Sequence, residues 1–414
     1  MVVGGGAAGM MAAGQAARCG AQVTVLEKMR RPGRKLCITG KGRCNLTNVA
    51  PLAEFIGHFG PTGPFLHQAF ARFFTPELLD FFQHQGLQVV TERGGRVFPT
   101  SGKALEVLAV FEQWLARCGA RIRTDHSVDH LCIENGALTG IVAAGQTIPC
   151  DALILATGGA SYPLTGSTGD GYRLAAAAGH RIIPIRPALV PLVTAGSVTA
   201  RMANLQLRNI TVRLIIDSKK VAETFGELTF MPYGLSGPVI LTLSSQIVDA
   251  LREGREVELL LDLKPALDAT KLDARLLRDF DQRRHEVIAS VLRGLLPKEM
   301  VSVALNEAAI PAQRPAGSIQ VPERQRLRHW LKNFSLRVVG HRPLAEAIVT
   351  AGGVATGEID PHTMESRLVR GLYFAGEVID IQADTGGYNL QAAFSTGWLA
   401  GRSAAARLVK GAEE

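Results

Sequence analysis

The chain has 414 residues, of which 47% are hydrophobic and 20% charged, which excludes a disordered or fibrous protein and leaves room for two or three domains. No apolar run is long enough to cross a bilayer, and no basic segment followed by an apolar one opens the chain, so a cytoplasmic protein with no membrane partner is expected. The net charge of +8 suits an anionic ligand but does not by itself indicate nucleic acid.

In chain order, Val2-Val3 leads into Gly4-Gly5-Gly6-Ala7-Ala8-Gly9, residues 7–19 predict a helix stopped at Gly20, and 22–27 predict a β-branched strand. This is a βαβ unit with a G-x-G-x-x-G turn, and Glu27 ends its second strand. Gly4 permits the tight turn, Gly6 lets backbone approach a pyrophosphate, and Gly9 lets the helix lie on the sheet. Ala7 and Ala8 open the helix, whose N–H groups favour the anion. Glu27 is placed to accept both ribose hydroxyls and to repel a 2′-phosphate, so the nucleotide is FAD or NAD rather than NADP. The first strand is short against the usual five or six residues or so. Either it is frayed or the true start lies upstream.

Residues 33–48 carry Gly40 and Gly42 for close backbone approach, positive charge at Arg34, Lys35, Lys41 and Arg43, and Asn45 and Leu46 beside them. Cys37 and Cys44 lie too far apart for the usual redox disulfide. With Cys19, Cys118, Cys132 and Cys150 they read as reduced thiols, and no metal site is expected. Residues 76–86 and 102–118 predict helices. Residues 121–124, 128–133 and 137–148 predict short strands with a turn at Asn135-Gly136. Residues 151–156 form a buried parallel strand that runs into Ala156, Thr157 and Gly158, and Gly169 to Gly179 frames another helix. Composition shifts near Pro184, Pro187 and Pro191. Residues 190–263 alternate as in an antiparallel sheet or barrel, and 270–333 turn helical and charged. After Arg342 come a strand over 372–380, with Gly376, Glu377 and Asp380, and a long small-residue helix opening over 385–397 at Gly387, Tyr388, Asn389 and Leu390.

The hAxGG turn at 153–159 and the two C-terminal segments favour FAD over NAD. No second G-x-G-x-x-G is present, so NAD(P)H, if used, docks transiently. The motifs Gly-Arg-Lys (33–35), Gly-Arg-Cys-Asn (42–45), Gly-Arg-Val-Phe-Pro (95–99) with Ser101 and Lys103, Gly-Leu-Ser-Gly-Pro (234–238), Thr-Ala-Gly-Gly-Val (350–354), Thr-Met-Glu-Ser (363–366) and Thr-Gly-Gly-Tyr-Asn-Leu (385–390) span nearly the whole chain. With them the chain resembles the bacterial NAD(P)/FAD-dependent oxidoreductases that include aminoacetone oxidase-like flavoproteins and a bile-acid-operon flavoprotein reductase. The resemblance implies an α/β fold: a Rossmann-like FAD-binding domain with an inserted β-barrel-like domain and a helical subdomain. It also implies FAD contacts at Glu27, Lys28, Arg34, Gly40, Gly42, Asn45, Val128, Gly376, Asp380, Asn389 and Leu390. The expected domains are 1–188 with 342–414, 189–268 with 334–341, and 269–333. Many relatives carry Thr-His where this chain has Met231-Pro232 before Tyr233, so substrate identity does not transfer.

Asn45, Tyr162, Tyr233 and Tyr388 are the candidate polar groups beside the flavin ring, and no general base is assigned. The expected function is electron transfer between a small organic substrate and NAD(P)H or O2 through one flavin. A tRNA-modifying flavoprotein and a non-enzymatic redox sensor are the alternatives, with nucleic acid ranked below a small molecule. Oligomeric state is left open.

Overall fold

Buried apolar side chains fall into two clusters that share no residue. They belong to two compact units of the computed structural model, which describes residues 1–410: Met1–Ala188 with the chain from Leu344 onward, and Leu189–Pro343.

The first unit is laid on a five-stranded parallel sheet. Its strands are β1 (Val2–Val3), β2 (Thr24–Leu26), β3 (Arg121–Arg123), β4 (Leu153–Leu155) and β5 (Leu372–Phe374), in the order β5-β4-β1-β2-β3. The central strand is short, but Val2 pairs with both Val25 and Ile154, and Val3 with both Leu26 and Leu155. Helices of this unit include α1 (Ala7–Arg18), α2 (Arg34–Gly42) and α3 (Tyr388–Lys410).

Helix α1 is Ala, Gly and Met over Ala7–Gly14, where α3 covers it closely. A Cβ at Gly397 would lie 2.4 Å from the Ala8 carbonyl oxygen, and one at Gly401 would lie 2.3 Å from that of Ala12. Positions four apart on one helix thus meet positions four apart on the other, and only glycine lets the backbones touch. Further out, Phe82, Phe111 and Phe394 pack as a ring cluster, with Phe111 and Phe394 stacked at 5.6 Å.

Three elements differ from the sequence expectation. The strand expected over 372–380 ends at Phe374, because Gly376 turns the chain at φ 74° into the single 3-10 turn Gly376–Val378. The single strand expected over 137–148 is two, Ala137–Ala143 and Gln146–Pro149, because Ala144 and Gly145 turn at φ 50° and 72°. The region 190–263 does contain barrel strands, but Pro238–Arg252 is a helix. Its buried Val239, Ile240, Leu243, Ile247 and Val248 follow helical spacing, which the alternating stretches on either side obscured.

In the second unit, strands Leu192–Thr194, Gly234–Ser236, Lys219–Met231, Gln206–Ile216, Val257–Asp262 and Phe334–His341 close in that order into a barrel. Val212, Leu214, Leu259, Leu261 and Leu336 fill it, and the same core continues into the helices over 269–332. The chain leaves the first unit along Ile182–Ala188 and returns along Val349–Val354. These two strands pair antiparallel, with Ala188 opposite Val349.

Gly401→Val is expected to force α3 away from α1 and destabilise the first unit by about 1–3 kcal/mol, the usual cost of overpacking. Gly57→Ala, whose Cβ would meet nothing within 4 Å, serves as the neutral control. Thermal unfolding of both variants checks the pair, and an unchanged midpoint for Gly401→Val contradicts the contact.

Candidate functional site

Parallel strands gather their C-terminal ends at one edge, where loops are free to hold a ligand. Gly4 leaves β1 at φ 102°, and a Cβ there would lie 2.5 Å from the Ala156 carbonyl oxygen, so β4 forbids any side chain. A Cβ at Gly9 would lie 1.9 Å from the Gly4 carbonyl oxygen, which brings α1 down onto the turn. Gly6 differs: a Cβ there meets nothing within 4 Å, leaving open space at the α1 N-terminus beside Ala7 and Ala8. No acidic residue occupies that first turn. A diphosphate has both the room and the N–H donors it needs there.

Glu27 is held by two backbone donors, Gly5 N–H on Oε2 and Met29 N–H on Oε1, each at 2.8 Å. Each oxygen keeps a further lone pair, so a pair of ribose hydroxyls fits. Val128, buried, opens the strand Val128–Glu134. Lys28 pairs with Asp170 at 2.5 Å, at the first turn of the helix Asp170–Ala177.

The basic segment is divided. Arg34 is exposed at the start of α2. Lys35 Nζ instead donates to Glu377 Oε2 at 2.7 Å and to Ser161 Oγ at 2.6 Å. Arg43 binds Glu92 and lies 4.2 Å over the Phe98 ring. The charges of Lys35 and Arg43 therefore meet protein carboxylates. Between them α2 kinks at Thr39, and Gly40, Lys41 and Gly42 all have positive φ. Leu46 is buried and its N–H donates to the Val97 carbonyl at 2.8 Å.

Helix α3 starts against the same segment. A Cβ at Gly387 would lie 2.3 Å from the Thr47 carbonyl oxygen. Asn48 Nδ2 donates to the Gly386 carbonyl at 3.1 Å, and Thr47 Oγ1 donates to Gln391 Oε1 at 2.6 Å. Asn389 closes the preceding loop through both backbone groups of Ala383, and Leu390 is half-buried beside it. Gly376 turns out of β5 at φ 74°, with its N–H on Thr396 Oγ1. Burial raises the Asp380 carboxyl above its ordinary range, against the opposing pull of Arg186 and the Gly352 N–H.

Asn45 Oδ1, Thr157 Oγ1 and Gln382 Oε1 are buried without a hydrogen-bond partner among the described residues. Buried polar atoms are rarely left so. All three lie in the segments that the sequence assigned to the cofactor or beside them, and all three accept. A flavin presents ring N–H and ribityl hydroxyl donors, so the residues fit FAD. Gln382, Ser161 and Thr350 were not singled out by the sequence, although Ser161 and Thr350 lie in or beside motifs that were quoted.

The aromatic candidates are differently placed. Tyr388 is buried, its ring stacked 3.9 Å from that of His58 and edge-on to Phe55. Tyr162 adopts φ 51° and caps a turn through its carbonyl, which accepts from Thr165. Tyr233 belongs to the second unit, where the Arg342 guanidinium lies 4.5 Å over its ring. Among the four candidates, only Asn45 offers a buried atom without a partner.

A family model described as the HI0933-like protein Rossmann domain matches residues 1–403. The chain is 36% identical over 408 residues to the 3-dehydro-bile acid delta(4,6)-reductase of Clostridium scindens, covering 98% of each chain. It is 29% identical to the ribosomal RNA dihydrouridine synthase of Escherichia coli, covering 96% of each. Among solved structures, a quinol-fumarate reductase shares the fold at TM-score 0.52 and 17% identity, over 99% of this chain and 71% of that one. So does the 3-ketosteroid delta1-dehydrogenase of Sterolibacterium denitrificans, at TM-score 0.50 and 15% identity, over 98% and 99%.

Glu27→Ala removes two charge-assisted acceptors, each worth about 1.5–3 kcal/mol at most. FAD affinity measured by fluorescence titration should fall at least tenfold or so, with the fold intact by circular dichroism. Unchanged affinity would remove Glu27 from the ribose. Burial pushes the Cys44 thiol up to about 12, so native protein at pH 8 should leave Cys44 unalkylated while the exposed Cys19 reacts. Peptide mass mapping that finds Cys44 modified as fast as Cys19 contradicts its burial.

Proposed function

The chain belongs to the HI0933-like family, whose Rossmann domain binds FAD, and is an FAD oxidoreductase; we propose that it reduces a carbon–carbon double bond conjugated to a carbonyl on a small organic substrate. The observation that carries this reading is the 36% identity, end to end, with a relative named as a reductase of a 3-keto compound unsaturated at positions 4 and 6. The name of the second relative describes the same transformation on another scaffold, since dihydrouridine is uridine with its carbonyl-conjugated double bond saturated. Both are electron-poor alkenes that accept hydride at the carbon remote from the carbonyl.

Bound FAD supplies that hydride chemistry. The protein's part is to bind and orient. The α1 N-terminus and Gly6 take the diphosphate, and Glu27 takes the ribose. Asn45, Thr157 and Gln382 supply acceptors to the hydroxyl-bearing and ring portions. The N–H groups at the start of α3 favour negative charge, which is the form a reduced ring takes. NAD(P)H is the proposed electron source, docking transiently because the chain holds one dinucleotide motif.

A second reading, reduction of uracil in ribosomal RNA, is favoured by the 29% identity over 96% of the synthase and by the net charge of +8. It places nucleic acid among the partners to be tested, which composition alone ranked low.

The test is anaerobic. Holoenzyme reduced with NADH or NADPH is mixed with a 3-keto-4,6-diene steroid acid, or with ribosomal RNA lacking dihydrouridine, and flavin absorbance is followed. Reoxidation by the dienone with a product two mass units heavier is expected. Reoxidation by RNA alone transfers the assignment to the second reading, and reoxidation by neither overturns both.

A further inference from the structure

The motif Thr-Met-Glu-Ser over 363–366 has no part in the proposed flavin chemistry. It is the turn that leads into β5. Ser366 N–H donates to the Leu372 carbonyl at 2.7 Å, and Phe374 N–H donates to the Met364 carbonyl at 3.0 Å. Behind this turn lies His180, between the helix Asp170–Ala177 and the strand Ile182–Ala188, with its side chain fully buried. Its Nε2 is 2.8 Å from Ser366 Oγ and its Nδ1 is 3.2 Å from Glu358 Oε2. Its ring meets that of Phe374, in β5, edge-on at 4.8 Å.

The hydrogen bonds fix where the protons sit. Ser366 Oγ accepts from the N–H groups of Leu368 at 3.0 Å and Val369 at 2.8 Å, which takes both of its lone pairs. Its own hydrogen therefore goes to His180 Nε2, and the ring hydrogen is on Nδ1, toward Glu358. A second ring proton would set two hydrogens against each other across the 2.8 Å contact. Glu358 favours that proton, but its Oε2 is shared with the Arg181 N–H at 2.9 Å, and the Nδ1 contact lacks hydrogen-bond geometry. Other charges on the packed elements are engaged elsewhere: Asp170 with Lys28, Arg173 with the Asp129 carbonyl, Arg367 with the Ile359 carbonyl, Glu365 with Arg407, and Asp360 with the His362 N–H. Burial outweighs Glu358 and holds the imidazole below its ordinary value. The order Ser, His, Glu is that of a hydrolytic triad, but Ser366 is 7% exposed with both lone pairs taken, so it is no nucleophile.

We propose that His180 is a proton-operated latch on β5: neutral, it holds the 363–369 turn closed, and protonated, it releases that turn and, through the Gly376 turn that follows β5, the bound FAD. The neutral ring contributes its full stabilisation above the ordinary histidine value of about 6.5, and that contribution is lost as pH falls below it.

Full-length holoprotein is brought stepwise from about pH 7.5 to about pH 4.5. FAD release is followed by flavin fluorescence, and hydrogen exchange, corrected for its intrinsic rate, is followed by mass spectrometry. Peptides covering 363–374 should lose protection in step with FAD release while the barrel strand Val257–Asp262 keeps it. His180→Gln keeps an acceptor for Ser366 but takes no proton, and Glu358→Gln removes the charge that favours the imidazolium. Each should move the release midpoint about 0.5 pH unit or more toward acid, whereas loss of a merely structural contact would move it toward neutral. The proposal is overturned if 363–374 stays protected while FAD leaves, a result that needs no variant. It is equally overturned if either variant releases FAD at the wild-type midpoint or nearer neutral pH.

Discussion

The carboxylate of Glu377 accepts from the Lys35 ammonium, from the N–H groups of Gly159 and Thr350 and from the Ser161 hydroxyl. These groups come from α2, from the turn after β4, from the strand Val349–Val354 and from the turn after β5. No two of those stretches are adjacent in sequence, and Lys35 and Glu377 are 342 residues apart. Both side chains are about four-fifths buried, at 22% and 20% exposure. Loss of either partner of such a pair leaves a largely desolvated charge, at a cost of about 3–5 kcal/mol in well-buried cases. The turns after β4 and β5, α2 and the strand Val349–Val354 are thus tied through one anion, which explains why the Lys35 charge serves the scaffold.

Much of this was legible in the sequence because the constraints were local. Gly4 and Gly9 have no room for a side chain, and spacing along one turn encodes both. Glu27 follows directly on β2, where the N–H groups of Gly5 and Met29 hold its carboxylate. What was not legible depends on partners distant in sequence. Tyr388 sits in a motif that suggested chemistry, yet His58 and Phe55, over 300 residues earlier, hold its ring in an aromatic cluster. Arg43 was read as positive charge beside Gly40 and Gly42, and the Glu92 carboxylate that meets it lies 49 residues further on. Gln382 carries no local signal at all, and its buried, unpartnered oxygen appears only once the loop is folded.

Helix misassignment at Pro238–Arg252 has a different cause. Barrel strands and this helix are both rich in Val, Ile and Leu, and a short apolar run has no single period. The Pro at its first turn and the preceding Gly237, at φ 99°, were the local marks of a helix start.

The pairing of Ala188 with Val349 means that the 155 residues between Leu189 and Pro343 begin and end at neighbouring points. A segment attached in this way is a cassette on a socket. Its replacement by a shorter or longer one leaves the ladder of Ile182–Ala188 with Val349–Val354, and hence the turns after β4 and β5, where they are. Selection can therefore rewrite the cassette while the Rossmann scaffold keeps its sequence, and the same seam is where a protein engineer would graft a foreign domain.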